Sequence, residues 1–239
     1  VTGVQTCALP IFHENGEVKG VIASQNNETI KIRANRGVIL ASGGFEKNQT
    51  LREKYLPKPT DKAWSAANIH NTGDAISATE DLNVALHQMD AGWWTTTMNI
   101  PGHEKGWLSI VDKSVPGNYT VNKNGHRFSN ESQNYVSFVT DMFDEYEKGN
   151  PCAPCYMIFD SNFRKNRPCG PLLQASMQPD SRVPKEWWDP SFLSKADTLE
   201  ELAEIVGIDA KGLIETQVKV NERSEEHTSE LQSPCNLVC

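Results

Sequence analysis

The chain has 239 residues, of which 38% are hydrophobic and 23% charged, and a formal net charge of −8. This acidity argues against nucleic acid as the main partner, since a phosphate backbone is met by a basic surface. No apolar run reaches the ~18 residues of a membrane-spanning helix, so no transmembrane segment is expected.

Both ends read as non-native. Arg223 to Ser233 can be encoded by a stretch whose reverse complement, opened one base earlier, encodes Val1 to Ile11. One oligonucleotide read in opposite directions accounts for both, as a sequencing-library adapter would. Residues 1–11 and 223–239 are therefore left out of the fold expectation. The stretch between them is expected to be an interior piece of a longer protein. Removing the tails' net −2 (Arg223 against Glu225, Glu226 and Glu230) leaves −6. Cys7, Cys235 and Cys239 go with the tails. The remaining Cys152, Cys155 and Cys169 are odd in number and indicate no disulfide framework. A reducing compartment such as the cytoplasm is the milder reading; localisation is otherwise not encoded.

Glu17–Ala23 reads as a strand after the Glu14-Asn15-Gly16 turn. Thr29–Ala34 alternates, with Ile30, Ile32 and Ala34 on one face, and predicts a half-buried strand. Val38–Ala41 is continuously apolar and predicts a strand covered on both faces. A helix is expected over Glu46–Tyr55, stopped by Pro57 and Pro59, and another over Ala75–Ala85. Asn83 interrupts the latter with a residue that tolerates positive φ.

Further along, Tyr119–Asn122 predicts a short strand into a Lys123-Asn124-Gly125 turn, Ser132–Tyr146 a helix and Tyr156–Asp160 a strand. Residues 164–190, with five prolines, read as loop. Asp197 is the expected cap of a helix whose buried stripe is Leu199, Leu202, Ala203 and Val206, ended by Gly207. A second helix starts at Asp209, with Leu213, Ile214 and Val218 facing inward.

Three strings carry chemistry. Ala41-Ser42-Gly43-Gly44 ends an apolar strand on paired glycines, which would let a ligand approach the backbone. The same residues would serve a plain strand-end turn. Gly73-Asp74 offers a turn beside a helix start, and Asp74 reads equally as an N-cap. Gly125-His-Arg127-Phe-Ser-Asn-Glu131 places Arg127 and Glu131 to pair across a turn, as a structural ion pair. Tyr135 follows, with no Arg or Lys before Lys148.

Taken in this order, the strings resemble the flavoprotein family of fumarate reductases, urocanate reductases and 3-ketosteroid dehydrogenases. That resemblance implies FAD as cofactor, with Ala41, Ser42, Gly43, Gly44, Gly73 and Asp74 near it. Ser42 stands where relatives have Thr, and Ala75 where they have Gly. The family's Gly-x-Gly-x-x-Gly phosphate loop is missing, as expected if it lies upstream of Phe12. Asn130-Glu131-x-x-x-Tyr135 is similar to the ketosteroid branch, which implies Tyr135 in the active site; an amphipathic core tyrosine is the plainer alternative. Trp93 and Trp94 would then line an apolar cleft or simply pack.

The implied fold class is α/β: a partial, Rossmann-like FAD-binding domain over residues 12–100 and a partial α+β substrate (capping) domain over 101–222. The implied function is FAD-dependent dehydrogenation of a CH–CH bond next to a ketone, on a small apolar, steroid-like substrate. Hydride leaves to FAD and a proton to Tyr135. An ordinary phenol has a pKa of ~10, so this base needs a second hydroxyl or a positive field nearby. The electron acceptor is not indicated, and no metal site is expected. Cys152-Ala-Pro-Cys155 precedes a strand rather than opening a helix, so these read as loop thiols. Expressed alone, the fragment is expected to be inactive. The alternatives are a reductase of an unsaturated acid on the same fold, which would call on cations such as Arg164 or Arg167, and a non-functional fragment.

Overall fold

The computed structural model describes residues 10–225 and 235–238. It divides into two compact units. One holds the described residues up to Leu56 together with Thr60–Ala91; the other holds Pro57–Pro59 and the chain from Gly92 onward.

The first unit opens on an antiparallel meander of β1 (Ile11–Glu14), β2 (Glu17–Gln25) and β3 (Glu28–Arg33). The register is set by two tight turns, and Val21 pairs with both Ile11 and Ile32. Ile11, Gly20 and Ala23 are the buried residues of this sheet, and Ile32 of the expected inner face is exposed. The expected strand Val38–Ala41 does not form: Ile39 is 94% exposed and the segment is irregular. A strand covered on both faces needs a neighbour to pair its N–H and C=O groups. None is present among the described residues.

Helix α1 (Gln49–Tyr55) begins three residues later than expected, because Asn48 takes the cap and accepts the Leu51 N–H at 3.1 Å. Helix α2 (Asp74–Ser77) is one turn and gives way to a 3-10 turn at Glu80–Leu82. Asn83 ends that turn in the left-handed region, at φ 48°.

The second unit contains a small ribbon of β4 (Thr97–Met98) and β5 (Trp107–Leu108). Then come β6 (Asn118–Val121), α3 (Tyr135–Glu147), β7 (Tyr156–Asp160) and α4 (Ser161–Asn166). β8 (Leu193–Lys195), α5 (Leu199–Val206), α6 (Ala210–Glu225) and β9 (Cys235–Val238) complete it. The main sheet has the order β6-β7-β9-β8, all antiparallel.

Every residue of β7 is buried. Period-2 alternation explains this: Tyr156 and Ile158 enter one core with Leu202 and Leu213, while Met157 and Phe159 enter a second with Phe163 and Phe192. α4 and β8 arise inside or beside the stretch expected to be loop. Asp160 caps α4 through the Phe163 N–H at 2.7 Å, a signal hidden by the adjoining strand.

The cap of α5 is Thr198, not Asp197: its hydroxyl accepts the Glu201 N–H at 3.2 Å. Gly207 closes the helix in the left-handed conformation, as expected. On α6, Leu213 is buried but Val218 is 51% exposed. At ~100° per residue, position 218 lies about 140° around the helix from 213. Thr216 takes the inward place and donates to the Gly125 carbonyl at 2.7 Å.

The set-aside tails do not end where the structure does. β1 starts on Ile11, α6 runs to Glu225, and β9 lies between β7 and β8. Strand pairing is a backbone interaction and accepts any segment of suitable pattern. The rest of both tails lies outside the described residues.

Candidate functional site

In the first unit the two glycine strings meet. The Gly73 N–H donates to the Gly44 carbonyl at 3.0 Å, and the Lys47 N–H donates to the Asn71 carbonyl at 3.0 Å. Asn48 Nδ2 adds a bond to the Thr72 carbonyl at 2.9 Å, so the residue that caps α1 also ties down the second loop. Ala41, Ser42 and Gly43 are exposed along the edge of this pair. A Cβ on Gly43 would lie 2.8 Å from Asn71 Oδ1.

Gly73 differs from its expected part. It is buried, and a side chain there would meet Leu51 and Phe45. It makes room for the protein's own core. Asp74 is the first residue of α2, not its cap; Gly73 holds the cap position and the Asp74 carboxylate accepts the Thr72 hydroxyl at 2.6 Å. That places a negative charge at the helix N-terminus.

Glu46 was not singled out by its sequence. Its Oε2 is buried without a hydrogen-bond partner, and its carboxylate lies 2.7–2.9 Å from where a Gly44 Cβ would stand. Only the loop geometry reveals it. A buried carboxylate oxygen with no donor is costly, and a ligand hydroxyl or N–H would satisfy it.

In the second unit Tyr135 is the first residue of α3, half-buried, and its phenol oxygen has no hydrogen-bond partner among the described residues. Asn134 caps the helix by accepting the Ser137 N–H at 2.9 Å. The approach to the helix is braced. Arg127 Nε donates to both Glu131 oxygens at 3.0 and 3.1 Å, and Nη2 donates to Oε2 as well. Glu131 is buried and also accepts the Thr120 N–H at 2.7 Å. These bonds, above all the one to the Glu131 carboxylate, hold Arg127 above its ordinary pKa. The expected structural ion pair is thus present. Asp141 accepts from Ser129 Oγ at 2.7 Å and Gln133 Nε2 at 2.6 Å, tying the loop to α3 itself.

Trp94 packs edge-on against Phe143 of α3, with ring centroids 5.4 Å apart, whereas Trp93 is 91% exposed. Arg164 is buried and committed: Nε to Asp180 at 3.2 Å, Nη1 to the Leu173 carbonyl at 2.7 Å and Nη2 to the Gln178 carbonyl at 2.5 Å. It lines a cleft of about 410 Å³ with Asp180 and Lys195. Arg167 is exposed past the end of α4. Cys152 and Cys169 are buried free thiols and Cys155 is half-buried. Burial pushes the Cys152 thiol up to about 12 and Cys169 well above the usual thiol range. A redox pair needs the opposite shift.

An FAD-binding domain model matches residues 4–233, and the chain belongs to that family. Among its relatives, a 3-oxosteroid 1-dehydrogenase of Mycobacterium tuberculosis is 37% identical over 227 residues, covering 91% of this chain and 39% of the relative. A crystal structure of 3-ketosteroid delta1-dehydrogenase from Sterolibacterium denitrificans, in complex with 1,4-androstadiene-3,17-dione, superposes with a TM-score of 0.86. The two are 32% identical, over 97% of this chain and 46% of that one. An open-conformation flavocytochrome c3 fumarate reductase shares the fold at a TM-score of 0.57 and 21% identity, over 98% of this chain and 39% of that one. The chain therefore spans about two fifths of the curated relative's length.

FAD is the cofactor of this family, and the first unit fits it through an exposed edge over residues 41–43 and an orphaned acceptor at Glu46. No helix among the described residues is long and apolar enough to cross a membrane.

Proposed function

We propose that this chain is the part of an FAD-dependent 3-ketosteroid dehydrogenase that contributes one edge of the cofactor site and the proton acceptor. Ala41, Ser42, Gly43 and Gly44 lie along FAD, while Gly73 and Asp74 hold that loop in place. Bound FAD supplies the hydride acceptor. Tyr135 takes the second hydrogen as a proton from the carbon next to the ketone, so the two hydrogens leave as hydride and proton and a C=C bond forms. The ketone makes that proton acidic when donors stabilise the developing enolate.

The observation that carries this reading is the braced entry to α3, where Arg127 and Glu131 neutralise each other and Tyr135 opens the helix with a phenol that has no hydrogen-bond partner among the described residues. An apolar ketone suits such a site. A dicarboxylate would call for cations free to meet it; Arg164 is committed to Asp180 and two carbonyls and Lys113 to two more, which leaves the exposed Arg167 past the end of α4 as the cation that reading would need.

The test is turnover of a 3-ketosteroid with an artificial electron acceptor by the intact gene product that contains this segment. Tyr135→Phe should lower kcat by at least a hundredfold, on the order of a general base's contribution. Undiminished turnover would remove Tyr135 from the mechanism. Turnover of fumarate or urocanate in place of the steroid would overturn the substrate class.

A further inference from the structure

Lys113 is 3% exposed, although it sits in a short 3-10 turn (Asp112–Ser114) rather than in a core element. A lysine normally extends its ammonium to water even where its stem is covered. Here Nζ donates to the backbone carbonyls of Glu131 at 2.7 Å and Gln133 at 2.8 Å, and lies 4.9 Å from the centre of the Phe138 ring. Ser114 Oγ donates to the same Glu131 carbonyl at 2.9 Å. Two side chains of one turn therefore grip the segment that leads into α3.

No carboxylate pairs with this ammonium among the described residues. The Glu131 carboxylate is taken by Arg127 and by the Thr120 N–H. Of the other charged groups near this entry, Asp141 is held by Ser129 and Gln133, and Asp112 Oδ1 accepts the Gly170 N–H at 2.6 Å. Lys113 is thus a buried ammonium held by backbone carbonyls rather than by a carboxylate, beside the start of α3. Burial lowers its pKa, with Glu131 opposing that shift. A hydrophobic side chain of similar length would fill the same space but would leave the Gln133 carbonyl without this donor. Packing alone therefore does not account for a lysine here.

We infer that Lys113 is a positioning residue for Tyr135. It pins the Glu131 and Gln133 carbonyls, which fixes the first turn of α3 two residues later. This rests on Tyr135 being the proton acceptor.

The experiment uses three Lys113 variants of the intact dehydrogenase, with Tyr135→Phe alongside. A misplaced base slows the chemical step and leaves substrate binding alone, so kcat and KM part company. Lys113→Met should lower kcat about tenfold and leave KM for the ketosteroid within about threefold. Lys113→Arg keeps donors for both carbonyls and should restore kcat. Lys113→Gln keeps a donor for one carbonyl, so it should show the same split, less deeply, even if the Met variant fails to fold.

Unchanged kcat in both the Gln and Met variants, a KM that rises in step with the loss of kcat, or an Arg variant that behaves like Met would reduce Lys113 to a structural tie. If Tyr135→Phe turns over normally, the base assignment fails whatever the lysine variants do. If Tyr135→Phe is inactive while the lysine variants keep full kcat, only the Lys113 inference fails.

Discussion

The Gly73 N–H donates to the Gly44 carbonyl at 3.0 Å, so the two glycine-bearing strings of the first unit form a single loop pair. Gly73 sits at φ +82°, and a side chain there would collide with the Leu51 methyl and stand 3.0 Å from Phe45 Cβ. The pairing exists because residue 73 has neither Cβ nor a bias against positive φ.

Gly73→Ala should therefore destabilise the first unit by about 2–3 kcal/mol, about 1 kcal/mol from the left-handed backbone and the rest from overpacking. Gly44→Ala should be milder, because a Cβ there meets only the movable end of Glu46. Urea unfolding of the two variants gives the comparison; equal losses would refute the packing role of residue 73.

Glu131 should be the more sensitive member of its pair, being buried where Arg127 is partly exposed. Glu131→Gln should cost about 2–3 kcal/mol, below the range for a fully buried pair because Arg127 keeps some solvent. Adding Arg127→Met should recover part of that loss in a double-mutant cycle. Strict additivity would show that the two side chains are not coupled.

The thiols carry a pH signature. The folded Cys152 thiol stays protonated to about 12, against 9.0 for the free group. Its contribution to stability is complete below pH 9 and is lost as pH rises towards 12, since the unfolded chain gives up its proton first. Denaturation midpoints should therefore fall between pH 9 and 11, and Cys152→Ala should reduce that fall. At pH 8 an alkylating reagent should label none of the three rapidly, because burial raises the Cys155 thiol to about 12 as well; rapid labelling of all three would contradict the burial.

The cap of α5 separates two neighbouring residues. Thr198→Ala should destabilise by about 1 kcal/mol, the ordinary worth of a side-chain cap. Asp197→Ala should change stability by less than about 0.5 kcal/mol, because Asp197 meets Glu201 only through its backbone N–H. Thermal melts of the two distinguish them, and the reverse order would restore Asp197 as the cap.

Local chemistry made several elements legible in the amino-acid order. β7 was readable from its apolar run, Gly207 from its place after a helical stripe, and Asn83 from its tolerance of positive φ. The glycine strings and Asn130-Glu131-x-x-x-Tyr135 also pointed to the flavoprotein family without coordinates.

What lay beyond local pattern depended on neighbours. Val38–Ala41 reads as a buried strand, yet a strand exists only where another backbone pairs with it. Val218 reads as apolar and therefore inward, but the angle set by Leu213 turns it to solvent. Gly73 reads as part of a turn near the cofactor, and packing against Leu51 shows that its missing side chain makes room for the protein itself.

The amino-acid order by itself determined several elements, the family and the residue types available for chemistry, because propensity, capping and motif spacing act over a few residues. Tertiary structure alone decided which polar groups end with a partner and which without. It left Glu46 with an unmet oxygen and closed Lys113 over two carbonyls. Burial is a property of everything that surrounds a group, and no single stretch of chain records it.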